Sequence, residues 1–352
     1  MTSNQAAPRT TNPEPPVIRG AATDPVALLD EVPLSSAEAG YVEAARAANT
    51  LRGYRSDWRE FTTWCVEHGE LVPAPAAPAT VTGYLTALAQ AGAKVGTMSR
   101  RLSAIRFVHQ LQNHPDPTRN ARVLAVWEGI RRTHGAPPDQ AAPLMPPELF
   151  DVLDACPTTK VWRTSGRPNE PDLSGARDRA LLLTGFVAAL RRSELAALTV
   201  DQLAEHPNGL VLTLSRSKTN QTGEQVELVV LPRAGNPDRC PVIAIQRWLE
   251  LAGIVDGPLL RPVSKSNTAL PRRLNPESIN TLVQQAVSRG GLDPARYSAH
   301  SLRAGFVTYA HLRGASDRAI AHQTRHRSLA TLGAYVRVQQ AWTDNAATVL
   351  GF

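Results

Sequence analysis

His300-Ser-Leu-Arg-Ala-Gly305 sets an imidazole and a guanidinium three positions apart, and so on one face of a helix. Side by side, two such groups repel when both are charged, and an anion held between them removes the conflict. Upstream, Ala189-Leu-Arg-Arg-Ser-Glu-Leu195 ends an apolar run in two arginines and a serine, Ser193, suited to cap the next helix. Lys218 opens Lys218-Thr-Asn-Gln-Thr-Gly223, whose Asn and Gly suit a turn between two alternating runs. Downstream stand His326 and, nine positions later, Tyr335. Each stretch alone reads as something ordinary: a solvated helix junction, an idle surface lysine, a polar helix start, a half-buried tyrosine. The ordered set Arg191, Lys218, His300, Arg303, His326 and Tyr335 is instead what breaking a phosphodiester without metal or water needs. A phenolate attacking phosphorus loads charge onto the equatorial oxygens, and Arg191, Arg303, His300 and His326 supply donors for that charge. Arginine clamps best because its planar fork matches phosphate bidentately. The leaving 5′-oxygen needs a proton, which a lysine on a turn gives as general acid.

The whole chain is consistent with such a substrate without specifying it. Its 38 Lys and Arg against 31 Asp and Glu give a formal charge of +7, a field that favours polyanionic partners. Cys65, Cys156 and Cys240 are too few and too scattered for a disulfide framework or a four-ligand zinc site. We therefore expect a reducing compartment, no structural metal and no cofactor. No apolar run approaches the roughly 18 residues of a membrane helix, and the amino terminus lacks a signal-peptide layout. The expectation is a soluble, cytoplasmic, nucleoid-associated protein with no membrane partner.

At 352 residues the chain has room for about two domains. Residues 1–34, rich in Pro, Ala, Thr and Asn, show no sustained apolar period and read as a disordered tail. From residue 35 to 134 apolar residues recur at helical spacing, as in Tyr54, Trp58, Phe61 and Cys65, and predict four or five helices. The proline-rich stretch 135–147 breaks any helix and reads as a linker. Residues 148–341 then mix helices, near 147–155, 176–190, 192–198, 239–252, 276–289, 301–313, 316–322 and 328–336, with a hairpin of Leu210–Ser215 and Val226–Leu231. The expected fold is mostly α: an N-terminal helical domain, then a C-terminal α+β domain with a small β-hairpin. In the closing segment 342–352, Trp342, Ala346, Val349, Leu350 and Phe352 form an apolar set too short to stay folded alone.

In the order and spacing of these residues the sequence resembles the tyrosine recombinase and phage integrase family, in particular its simple two-domain members of the Cre type. The resemblance spans about residues 36–352. It implies that Arg191, Lys218, His300, Arg303 and His326 form the catalytic set around the nucleophile Tyr335, with Glu194 as the bracing acid. Two positions depart from the family pattern: Arg325 and Ala189 both stand where glycine is common. His322 is a rival for the histidine role, but the spacing to Tyr335 favours His326. The resemblance also implies a SAM-like helical clamp, its groove helices at about Thr50–Glu67 and Val95–Leu111. Their basic edges would be Arg52, Arg55 and Arg59, and Arg100, Arg101 and Arg106, with Arg272 and Arg273 as further backbone contacts.

The implied partners are double-stranded DNA with an inverted-repeat recombination site, a second copy as homodimer on one site, and a homotetramer in synapsis. The implied reaction runs through a 3′-phosphotyrosine and a Holliday junction, with the tail 342–352 docking on a neighbouring protomer. A type IB topoisomerase-like relaxing enzyme and a non-catalytic DNA-binding accessory factor are the alternatives.

Overall fold

Apolar residues three and four apart fix the first half of the chain. Leu51, Trp58, Phe61 and Cys65 line one side of helix α1 (Ala48–Glu67), and Val81, Tyr84 and Leu85 do so on α2 (Pro78–Gln90). Met98, Leu102, Ile105 and Val108 line α3 (Val95–Leu111), and Val123 and Ile130 line α4 (Ala121–His134). Pro78 opens α2, where its missing N–H has no helical acceptor to lose. Asn120 caps α4, its side chain accepting the Arg122 N–H at 2.9 Å. α1 packs on α3 and α2 on α4, closing one core in which residues such as Phe61 and Met98 contribute about 2 kcal/mol each. Buried in that core, His109 accepts the Ala76 N–H on Nε2 at 2.9 Å and faces the Ile105 carbonyl through Nδ1 at 2.7 Å. That pairing requires the neutral ring, and burial accordingly holds the His109 pKa below its ordinary range.

The computed structural model describes residues 46–69, 73–137, 140–162, 167–214 and 226–325, together with Ser35, Ala37 and Tyr41. It divides into two units, Met1–Pro138 and Asp139–Phe352. Among the described residues no helix is long and apolar enough to cross a membrane.

The second unit is assembled around α6 (Leu173–Val187), whose residues Ala180 to Phe186 are all buried. Asp172 caps it by accepting the Gly175 N–H at 2.9 Å. Ahead of it lie α5 (Glu148–Asp154) and a short antiparallel pair, β1 (Thr159–Lys160) and β2 (Glu170–Pro171). After it come α7 (Arg192–Ala197), β3 (Leu203–His206), β4 (Gly209–Leu214), β5 (Glu227–Pro232), α8 (Pro241–Ala252), α9 (Pro276–Arg289), α10 (Ala299–Leu312) and α11 (Asp317–Thr324).

Strand alternation explains the sheet. Leu210, Leu212 and Leu214 of β4 and Val229 and Leu231 of β5 point into the core, with Leu212 opposite Val229 and Leu210 opposite Leu231. Leu228 and Val230 point outward. The sheet has one strand more than the expected hairpin: β3 pairs antiparallel with β4, Leu203 opposite Leu212. This edge strand exposes Ala204, Glu205 and His206, so it carries no apolar alternation to announce it.

The helix expected over 176–190 begins three residues earlier and ends at Val187. Ala188 is its C-cap and Ala189 turns left-handed, with φ +47°. Residues 142–144 run against the start of α10 and the turn before it: the Ala142 N–H donates to the Arg296 carbonyl and the Leu144 N–H to that of Ser301. Gly305 permits the approach, because a Cβ there would lie 2.0 Å from the Leu144 oxygen. The strand turn with Lys218, the expected helix 328–336 with Tyr335, His326, and the segments 1–34 and 342–352 lie outside the described residues.

Candidate functional site

The break between α6 and α7 sets the first arginine. Arg191 is the N-cap of α7, and its backbone N–H is accepted by Glu194 Oε2 at 2.9 Å. This corrects the expectation that Ser193 caps the helix: Ser193 lies inside it, and the carboxylate three residues past Arg191 closes the turn instead. The same carboxylate reaches the Arg191 guanidinium, with NH1 donating to Oε1 at 2.7 Å. Glu194 is buried, which alone raises a carboxyl pKa. Arg325 and then Arg191 more than offset that and hold it below its ordinary value, so the group is a carboxylate.

Arg303 is brought to the same place by α10. Its guanidinium is buried and spans two helix ends, NH1 donating to the Ala189 carbonyl past the end of α6 and NH2 to the Thr324 carbonyl at the end of α11, each at 2.6 Å. Serine caps α10 through the Ser298 hydroxyl, which accepts the His300 N–H at 3.2 Å, and this fixes His300 in the first turn. Solvent reaches His300. The surrounding protein, and then the charges of Arg303 and Arg191, hold its imidazole below the ordinary range. A neutral imidazole beside two guanidiniums presents one N–H donor and one acceptor nitrogen.

Two local pairs far apart in sequence, Arg191 with Glu194 and His300 with Arg303, thus share one site. Lys218, His326 and Tyr335 lie outside the described residues. His322 is exposed on α11, and Arg272 and Arg273 are exposed ahead of α9. Arg325 joins the site too: its NH2 donates to Glu194 Oε2 at 2.7 Å and its Nε lies 3.3 Å from Glu227 Oε2 on β5. Sequence reasoning noted this residue only as a departure from glycine. Gln323 was also missed; its amide donates to the Val187 and Val230 carbonyls at 2.9 and 3.1 Å, tying the end of α11 to α6 and β5.

In the first unit the basic edges divide into two kinds. Arg52 and Arg59 are exposed and Arg55 half-buried on α1, Arg52 donating to Asn49 at 2.7 Å. On α3, by contrast, arginines are engaged with the unit's own acids. Arg100 pairs with buried Asp57 at 2.9 Å, Arg101 with Glu60 and the Tyr84 hydroxyl, and Arg106 with Thr118 and Asp116.

The chain is thus a helical unit followed by an α+β unit in which Arg191 is braced by Glu194 and lies near His300 and Arg303. The model of the phage integrase family matches residues 165–341, and that of the phage integrase N-terminal SAM-like domain matches residues 41–113. The chain belongs to the phage integrase family of tyrosine recombinases. It is 33% identical over 308 residues to the integrase/recombinase xerD homolog of Selenomonas ruminantium, covering 87% of this chain and 86% of that one. It is 24% identical over 316 residues to the tyrosine recombinase XerD of Rhizobium meliloti, covering 87% and 93%. The fold is also that of the XerH site-specific recombinase bound to palindromic difH substrate, with TM-score 0.59 at 14% identity over 90% of this chain and 84% of that one.

Proposed function

We propose that the chain is a site-specific DNA recombinase that cuts and rejoins strands through a covalent bond to Tyr335. The observation that carries this is the convergence of Arg191, Arg303 and His300 on one site beside an ionised Glu194. Tyr335, its phenolic proton given up to solvent, attacks the scissile phosphorus and forms a 3′-phosphotyrosine as the bond to the 5′-oxygen breaks; that oxygen takes a proton from Lys218 and leaves as the 5′-hydroxyl. Arg191 and Arg303 carry the charge that grows on the equatorial oxygens, with His300 and His326 adding hydrogen bonds. The phosphotyrosine keeps the energy of the broken bond, so the partner strand's hydroxyl reverses the step with no ATP and no metal.

In this reading residues 35–134 form the core-binding domain, joined through 135–147 to a catalytic domain over 148–341. Two protomers hold an inverted-repeat site, and two such pairs form a tetramer that passes through a Holliday junction. The tail 342–352 docks on a neighbouring protomer in a cyclic, head-to-tail arrangement. Arg52, Arg55 and Arg59 contact the DNA from α1, Arg100, Arg101 and Arg106 from α3, and Arg272 and Arg273 its backbone on the catalytic side. The test is to incubate the protein with DNA fragments from its own genomic neighbourhood in the presence of a chelator, denature, and sequence any 3′ ends left attached to protein. A 3′ adduct that disappears in Tyr335→Phe is expected. Specific binding without an adduct would overturn the proposal in favour of an accessory DNA-binding role.

A further inference from the structure

Four charged side chains run in alternating sign through the second unit: Glu227 on β5, Arg325 at the end of α11, Glu194 on α7 and Arg191 at its N-cap. The three links are 3.3, 2.7 and 2.7 Å. The two inner members are the most deeply buried, Arg325 with 5% and Glu194 with 3% of the side chain exposed. Arg191 ends the series and retains 19%. Arg325 sits in this position at a conformational cost, because φ +57° and ψ +42° form the left-handed C-cap that glycine adopts freely and a side chain does not. Strained backbone clusters at functional sites, so what the Arg325 side chain touches bears on the chemistry of this one.

We propose that Arg325 is a positioning residue for the strand-cleavage reaction, acting through Glu194 to fix the guanidinium of Arg191. The inference rests on the recombinase reading above. Glu194 makes three contacts in this arrangement: Oε1 takes Arg191 NH1, and Oε2 is shared by the Arg191 backbone N–H and Arg325 NH2. With Arg325 on one side, the carboxylate has one place to stand, and the fork of Arg191 takes one orientation. Without it, the buried carboxyl retains Arg191 as its one cationic neighbour among the described residues, and burial drives it toward its neutral form. A neutral Glu194 holds Arg191 through weaker, uncharged bonds, and Arg191 gains freedom to turn away from the phosphate.

The charged groups that bear on Glu194 are Arg191 from its own helix and Arg325 from α11. Glu227 of β5 pairs with Arg325, and His300 of α10 feels the charges of both Arg303 and Arg191. Removing Arg325 therefore takes away one of the two cations among the described residues that keep Glu194 ionised.

The test compares the full-length wild type with Arg325→Gly, Arg325→Gln and Arg325→Lys. Glycine relieves the backbone while deleting the side chain, glutamine keeps length without charge, and lysine keeps charge without the fork. The probe is the duplex that the wild-type chain itself captures covalently, nicked so that cleavage cannot reverse. The inference expects binding within about twofold of wild type for all three, and cleavage slowed about tenfold in the glycine and glutamine variants. It also expects the acid limb of their rate profile to move to higher pH, with partial return of both in the lysine variant. A backbone role alone expects Arg325→Gly to match or exceed wild type with an unmoved profile, and that result would overturn the inference. A second arm uses no DNA: carbon-13 titration of the Glu194 carboxyl, whose midpoint must rise in the glycine and glutamine variants. A midpoint that stays put overturns the inference even if the rates change. Failure of the wild type to form any adduct strikes the recombinase reading instead, and leaves the pairing to be decided by the carboxyl titration.

Discussion

Replacing Arg303 with lysine separates what this side chain does for the fold from what it does for the substrate. The guanidinium is 2% exposed and gives one N–H to the carbonyl of Ala189 and another to that of Thr324, both at 2.6 Å. Lysine keeps the charge but concentrates it at one ammonium, which reaches one of the two carbonyls at a time. The other is left buried and unpaired, and a charge-assisted bond of about 1.5–3 kcal/mol is lost. We expect Arg303→Lys to destabilise the second unit by about 2 kcal/mol, roughly thirtyfold in its opening equilibrium.

The assay is amide exchange read peptide by peptide under mild denaturant, because a chain with two units need not unfold in one step. Protection should fall most in the peptides holding Ala188–Leu190 and Ala321–Arg325, the helix ends that Arg303 joins, and should be unchanged in α1–α4. Cleavage should fall by at least about tenfold as well, since the donor geometry at the phosphate changes with the fork. Full protection together with lost cleavage would refute the structural half of the reasoning: Arg303 would then serve the substrate alone.

Glu194→Gln should cost about 3 kcal/mol at neutral pH by taking the carboxylate from buried Arg325 and half-buried Arg191. Because the folded carboxyl is held below its ordinary range, its contribution is complete above the unfolded value near 4.5 and is lost as pH falls through the folded one, so denaturation midpoints of mutant and wild type should converge in acid. His300 should titrate below 6.5 by proton NMR, and Arg191→Ala should bring it back upward; no movement would deny that the two groups face each other. His109, buried neutral, makes the first unit lose stability as pH falls below the unfolded value near 6.5, and exchange protection of α3 measured from pH 7.5 to 5 checks this. In DNA binding, Arg59→Ala should lower the salt slope by about one, whereas Arg101→Ala, which breaks contacts to Glu60 and Tyr84, should reduce the stability of the first unit more than its affinity.

The long amphipathic helices were legible in the sequence because burial of one face leaves a period. The stripe of Trp58, Phe61 and Cys65 could be read directly, and so could the inward alternation of Leu210, Leu212 and Leu214. β3 was not, because an exposed edge strand needs no pattern. The positions of Arg191, His300 and Arg303 were visible as motifs, but what holds them was not. Arg303 is satisfied by backbone carbonyls, which no side-chain pattern records, and Arg191 by an acid that also serves a residue 131 positions away. The basic edge of α3 could be read, but not its partners: Arg100, Arg101 and Arg106 face acids whose nearness exists only after folding.

The two residues that depart from glycine share a physical origin. Ala189 and Arg325 both have positive φ, +47° and +57°, and each closes a helix end. The last carbonyls of a helix have no N–H of their own to meet and carry the negative end of its dipole. Turning left-handed just beyond α6 and α11 brings one carbonyl from each end, Ala189 and Thr324, onto the guanidinium of Arg303. A glycine-like turn is thus part of how the buried cation of Arg303 is accommodated. Alanine meets that requirement at modest strain and adds nothing. Arginine meets it at similar strain and reaches the carboxylate that braces the neighbouring cation, so the two substitutions are alike in backbone and opposite in consequence. On this reasoning Ala189→Gly leaves cleavage within about twofold of wild type, the relief of a strained φ roughly offsetting the lost methyl group and the added chain entropy. Arg325→Gly does not, and the difference between the two variants measures the side chain alone.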